Sequence, residues 1–250
     1  MRPGTQFVIQ LDMDDLKVIT QNYQTTAEAR DLLSTARTVL LVGPAGSGKN
    51  TLEHELIKTG KYKQIVTHTA RLPRSNHGVM EKNGVEYFFI TKEQALDMLQ
   101  SKQYIEVALT HGNIYGTSID QFKEAIKDSK IAVADIDIKG VRTYLSLTDH
   151  VIPVFLLPPS FEALMKRLLS RYGIATDQKD IRTRLHTALN ELNEFINTDY
   201  YYPVINSEIA RTTKIVEGIV AGKINNRRDQ SAVTLARQLL IDIKDILARP

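Results

Sequence analysis

The chain has 250 residues, 42% of them hydrophobic and 24% charged, a balance that supplies a sizeable core and excludes disorder over most of the length. It has no cysteine, which excludes disulfides, thiolate zinc sites and cysteine nucleophiles and leads us to expect a reducing, cytoplasmic setting. A net charge of +3 and the lack of any apolar run of about 18 residues argue against nucleic-acid and membrane partners, and the first residues have no apolar signal core.

In chain order, residues 7–11 predict a short strand and residues 26–36 a helix opened by Thr25 or Thr26. Residues 1–35 otherwise read as an extension with no functional signal. An apolar run at 38–42 predicts a buried strand, and it breaks into Gly43, Pro44, Ala45, Gly46, Ser47, Gly48, Lys49, Asn50 and Thr51. Glycines in this order let the backbone curl with its N–H groups inward, the following helix adds its positive N-terminus, and Lys49 supplies a charge for β and γ phosphates. The stretch is therefore a phosphate cradle. Asn50 stands where such loops usually carry a hydroxyl for Mg²⁺, with Thr51 directly after it.

Residues 64–67 predict a second strand, and 67–87 are polar, basic and turn-rich, with Asn83-Gly84 as a hairpin signal before an aromatic strand at 87–90. Thr91 opens a helix to about Ser101, residues 104–109 form a strand, and H-G-N-I-Y-G-T reads as a turn closing an insert. A helix over 119–127 returns to the core. Residues 131–138, I-A-V-A-D-I-D-I, predict a buried parallel strand with Asp135 and Asp137 on one face. Further strands are expected at 151–157 and 202–205, with helices after Ser160, over 180–191, from about Ser207, and at the end of the chain. The alternation predicts an α/β fold: a doubly wound parallel sheet of the P-loop kinase type, with a small mixed α/β insert and a helical lid. The boundaries expected are 1–35 for the extension, 36–66, 118–160 and 191–250 for the core, 67–117 for the insert, and 161–190 for the lid.

Six stretches occur in an order that resembles guanylate kinases: the phosphate loop, T-H-T-A-R-L-P-R at 67–74, E-x-x-G-x-x-Y at 81–87, E-x-x-x-x-x-G-N-I-Y-G-T at 106–117, D-I-D-I-K-G at 135–140, and P-P-S with the arginine-rich lid at 158–185. The resemblance implies transfer of the γ-phosphoryl group of MgATP to GMP, and implies dGMP as a further acceptor. It assigns Gly43 to Thr51 and Asn206 to ATP, and Asp135 with Asn50 to the metal. Thr67, Arg71, Arg74, Glu81, Tyr87, Glu106, Tyr115, Thr117 and Asp137 fall to GMP. Lys49, Arg71, Arg167, Arg171 and Arg184 fall to charge stabilisation during transfer. The loop between Arg74 and Glu81 is longer than the family's, and His77 is a second candidate within it. Two alternatives belong beside this reading: a binding module of the same fold without catalysis, and a kinase of the same fold for another nucleotide or a sugar phosphate.

Overall fold

The computed structural model describes residues 13–76, 79–110, 112–172 and 178–249. The expected strand at 7–11 and His77 lie outside them. The first half of the chain runs α1 (Met13–Gln21), α2 (Ala27–Thr35), β1 (Thr38–Val42), α3 (Lys49–Lys58), β2 (Tyr62–Gln64), β3 (His68–Thr69), β4 (Ser75–Asn76), β5 (Val79–Met80), β6 (Phe88–Phe89), α4 (Lys92–Gln100), β7 (Tyr104–Thr110) and β8 (Asn113–Ser118). The second half runs α5 (Ile119–Lys127), β9 (Ile131–Asp135), α6 (Ile138–Leu147), β10 (Val151–Leu157), α7 (Phe161–Tyr172), α8 (Gln178–Asn197), β11 (Tyr202–Ile205), α9 (Ile209–Val220) and α10 (Gln230–Ala248). No helix among the described residues is long and apolar enough to cross a membrane.

Five strands form a parallel sheet in the order β11-β10-β1-β9-β2. The chain leaves β1 for the edge strand β2 and returns through β9 and β10 on either side of β1, so the order reverses at the carboxyl end of β1. That crevice is where a doubly wound sheet binds ligands. Both faces are covered, which is why β1 reads as a continuous apolar run: Leu40 and Val42 pack into a cluster with α2, α5, α8 and α10, while Val39 and Leu41 pack into another with α3 and α9.

A second sheet, β6-β3-β8-β7, rises from the carboxyl side of the first. Its far face carries Val107, Leu109 and Ile114, packed beneath Leu16 of α1 and Ala95 of α4. The near face carries Glu106, Tyr115 and Thr117, because residues two apart on a strand share a face. Gly116 has to be glycine: a Cβ there would lie 2.6 Å from the ring of Tyr104 on the neighbouring strand.

Several expectations shift. The strand expected at 64–67 sits at 62–64, because the chain leaves β9 after Ile65 donates to the carbonyl of Val133. Asn83-Gly84 makes a tight turn, in which Gly84 donates to Tyr87, but no hairpin: β5 pairs back to β4, and β6 pairs parallel with β3. Residues 113–118 are a strand rather than a closing turn; their glycine, tyrosine and threonine obscured the alternation. β9 ends at Asp135. Asp137 is the N-cap of α6, its carboxylate accepting from Gly140 N–H at 2.7 Å, so the two aspartates do not share a strand face. Helix α8 extends beyond the expected 180–191 in both directions.

Candidate active site

The phosphate loop leaves β1 at Gly43, whose φ of +131° and whose Cβ position, 2.3 Å from the carbonyl oxygen of Leu156, admit no side chain. Lys49 is the first residue of α3 and folds back to donate to the Gly43 carbonyl at 2.5 Å, with its Nζ 3.9 Å from Asp135. Ser47 Oγ is buried without a hydrogen-bond partner among the described residues, an orphaned donor at the floor of the loop. Gly46, Gly48, Lys49, Asn50, Thr51, Arg167, Asn206, Ser207 and Ile209 line an open cleft beside it.

Two expected ligands of ATP and its phosphates brace this loop. Asn206 is buried, its amide donating to the Ser47 carbonyl at 2.8 Å and its Oδ1 accepting from Thr212 at 3.0 Å. Each of these bonds uses half of the amide's capacity, and Asn206 also lines the cleft. Arg167 of α7 reaches the carbonyls of Gly46 and Ser47 at 3.4 and 3.3 Å and that of Asn206 at 3.0 Å. Arg184 lies half-buried on α8. Arg171 lies on α7, with its side chain outside the described residues.

The insert presents a second cluster. Arg71 is buried and forms a two-pronged pair with Glu81, Nη1 to Oε2 at 2.6 Å and Nη2 to Oε1 at 2.9 Å. Its Nε donates to Tyr115 at 3.1 Å and its Nη1 also to the Leu72 carbonyl at 2.9 Å, while the guanidinium lies over the rings of Tyr87 and Phe89. The long loop after Arg74 therefore still brings Glu81 back, since Arg74 N–H donates to Glu81 and Glu81 N–H to the Arg74 carbonyl. Of a guanidinium's five N–H donors four are engaged, which leaves one on Arg71, whereas the Arg74 side chain is exposed. Burial works against the charge on Glu81, yet Arg71 holds its carboxyl below the ordinary range.

Glu106 is paired in register with Thr117, whose hydroxyl donates to Oε1 at 2.9 Å. Burial pushes its carboxyl up to about 7, against the Thr117 bond and with the help of Asp137. Thr67 stands at the start of the insert, its carbonyl accepting from Phe88 N–H at 2.9 Å.

Two carboxylates escaped the reading of the sequence. Glu53 is 3% exposed on α3, accepts from Gln64 at 3.2 Å, and is pushed up to about 8 by burial and by Asp135. Glu191 is buried on α8. An acidic residue adjoining the apolar Leu52 and Leu56 stripe was the available signal for Glu53; for Glu191 it was the seven-residue spacing from Arg184, two turns along one helix.

A family profile described as guanylate kinase matches residues 35–223. A guanylate kinase of Rickettsia prowazekii (strain Madrid E) is 34% identical over 191 residues, covering 75% of this chain and 92% of that protein. One from Clostridioides difficile (strain 630) is 30% identical over 188 residues, covering 75% and 88%. The crystal structure of guanylate kinase from Anaplasma phagocytophilum superposes with a TM-score of 0.57 at 23% identity, covering 84% of this chain and 95% of that one, a likeness of fold.

Proposed function

Because the chain belongs to the guanylate kinase family, we infer that it is an ATP:GMP phosphotransferase, moving the γ-phosphoryl group of ATP to the phosphate of GMP to give ADP and GDP. The observation that carries the choice of acceptor is Glu106, held by Thr117 on the near face of the insert sheet. One ionised carboxylate accepts together from the adjacent N1–H and 2-amino group of guanine, while adenine has a lone pair at N1 and no amino group at C2. dGMP presents the same edge and is a second acceptor. Thr67, Thr117 and Asp137 complete the base site in this reading.

The phosphate of GMP is assigned to Arg74, the remaining N–H of Arg71, and the hydroxyls of Tyr87 and Tyr115. Glu81 fixes the orientation of Arg71 through its paired bonds. The acceptor oxygen needs no general base, since a phosphate monoester has a second pKa of about 6 and is already an anion. ATP is assigned to the loop from Gly43 to Thr51, with Lys49 leaving the Gly43 carbonyl for the phosphates and the orphaned Ser47 hydroxyl finding a phosphate partner. Arg167, Arg171 and Arg184 are assigned to the charge that develops on the transferred group.

The donors a divalent cation would meet here are Asp135, partly exposed beside Lys49, and Asn50, which lines the cleft; one carboxylate and one amide oxygen suit a cation that takes its other ligands from phosphates and water. Mg²⁺ bound with ATP supplies charge neutralisation on the phosphates, and Asp135 and Asn50 would hold it. In the division we adopt, residues 67–117 form the GMP-binding insert and 161–190 the lid; their approach to the core excludes water from the reacting phosphates. We assign the enzyme to the cytoplasm, in keeping with the cysteine-free composition.

Steady-state rates with GMP and AMP on the wild type and on Glu106→Gln test the assignment. The variant should lose kcat/KM for GMP and narrow the gap to AMP, because a site built for a polar edge rejects the wrong base by factors on the order of 10⁴. An unchanged ratio would remove Glu106 from base selection.

A further inference from the structure

Tyr104 and Glu106 lie two residues apart on β7, and regular alternation would put both side chains on one face. They face opposite ways. Tyr104 stands opposite Ser118, and its ring occupies the space that a side chain at Gly116 would need on the far face, whereas Glu106 stands opposite Thr117 and meets its hydroxyl on the near face. The register shifts between Tyr104 and Glu106, so Ile105 is a residue that β8 does not match: a bulge. In an unbroken register Ile105 would oppose Thr117, and Glu106 would oppose Gly116, turned to the far face. Glu106 owes its place opposite Thr117 to that bulge.

A bulge interrupts the ladder, and this one falls on β7, the end strand of its sheet among the described residues. Ile119 N–H donates to the Gln103 carbonyl at 2.9 Å, which makes Tyr104 and Ser118 a pair whose own N–H and C=O groups point away from each other. The segment ahead of the core takes up both groups of Tyr104. The Tyr23 hydroxyl accepts from Tyr104 N–H at 3.2 Å and donates to the Tyr104 carbonyl at 2.7 Å, as a neighbouring strand would, and Thr25 donates to the same carbonyl at 2.9 Å. Lys102 steadies this brace, donating to the Gln24 carbonyl at 3.2 Å with its ammonium 4.7 Å from the centre of the Tyr23 ring. Both ends of the brace are anchored: Leu16 of α1 is buried against the insert, and Thr26 caps α2, whose Ala29 and Leu33 are buried in the core. It lies ahead of residues 35–223, which match the family profile.

We propose that Tyr23 and Thr25 are positioning residues for the base site: by holding the main chain of Tyr104 they fix the bulge that turns Glu106 toward guanine. Their role rests on the reading of Glu106 as the residue that selects the base. It makes the segment ahead of the core part of the support for GMP recognition, and it ties that recognition to the joint between insert and core, since the brace is anchored on both.

The test is steady-state kinetics with GMP, AMP and ATP on the full chain, comparing the wild type, Glu106→Gln and the double variant Tyr23→Phe, Thr25→Val, with amide hydrogen exchange over residues 104–107 alongside. The double variant keeps both shapes and removes the hydroxyls that make these three bonds. It should lower kcat/KM for GMP about tenfold or more, narrow the GMP-to-AMP ratio, leave the KM for ATP level and speed exchange over 104–107. Tyr23→Phe with Thr25→Ser, which retains one hydroxyl, should recover part of the lost discrimination. If the double variant does not fold, Tyr23→Phe alone decides, with a loss of the same sign expected. A narrowed ratio in Glu106→Gln with an unchanged one in the brace variants, or equal losses toward GMP, AMP and ATP in the brace variants, would overturn the role of Tyr23 and Thr25 and leave the base-site reading standing. An unchanged ratio in Glu106→Gln would overturn that reading and this inference with it.

Discussion

Guanine offers its N1–H and 2-amino donors side by side, and the Glu106 carboxylate can accept both only when it is ionised. Burial pushes that carboxyl up to about 7, so near neutrality a substantial fraction of the unliganded protein carries the proton and presents a donor where guanine also presents donors. Raising the pH through about 7 removes that proton, and kcat/KM for GMP should rise with it. The GMP phosphate itself ionises at about 6, so the profile should show two limbs. Glu106→Gln should abolish the limb near 7 and keep the one near 6, which a pH series of initial rates at low GMP would resolve. At this scale much of the site was readable from the sequence. Glycines and Lys49 have positions fixed by backbone geometry, and Glu106 and Thr117 lie in register on neighbouring strands. Glu53 and Glu191 were missed, because their only marks, an acid beside an apolar stripe and a spacing from Arg184, are shared by solvated residues, and burial depends on what packs over them.

Strands β1, β10 and β11 and helix α5 fall where the apolar pattern puts them, since each buries side chains whose spacing alone declares the element. Strand β8 was hidden because Asn113, Gly116 and Thr117 interrupt the apolar alternation that Ile114 and Tyr115 begin. The segment ahead of β1 was opaque for another reason: its contacts are tertiary. Tyr23 donates to the Tyr104 carbonyl at 2.7 Å and accepts from Tyr104 N–H at 3.2 Å, Thr25 donates to the same carbonyl at 2.9 Å, and Leu16 is buried against Ala95 and Ile114. Residues 13–25 thus strap the far face of the insert sheet and lead directly into α2 of the core. Leu16→Ala should destabilise the protein by about 2–5 kcal/mol, as for other large-to-small changes at buried sites, and Tyr23→Phe by about 0.5–1.5 kcal/mol per hydrogen bond lost. Urea melts of both variants check this; a Leu16→Ala protein as stable as the wild type would mean that α1 is not part of the insert's packing.

Across the whole molecule, Glu53, Glu106 and Glu191 share one sign of perturbation: burial raises each carboxyl, to about 8, 7 and 7. A carboxyl whose pKa is higher folded than unfolded contributes stability that is complete below its unfolded value and is lost as the pH rises through the folded one. The contribution of these three residues to the stability of the unliganded protein should therefore fall between about pH 5 and about pH 8, and Glu53→Gln, which cannot ionise, should flatten that fall in a series of thermal melts. On the proposed reading a nucleotide and its cation meet these same charges, around the crevice where the parallel sheet reverses its order. The claim to which these parts lead is that this protein phosphorylates GMP at the expense of ATP. The most direct measurement is ADP formation in a coupled assay with GMP, dGMP, AMP, CMP and UMP in turn, with GDP quantified in parallel. GMP should be preferred over AMP by a factor on the order of 10⁴ in kcat/KM, with one GDP formed for each ADP. Preference for another monophosphate, or ADP release that does not depend on any acceptor, would contradict it.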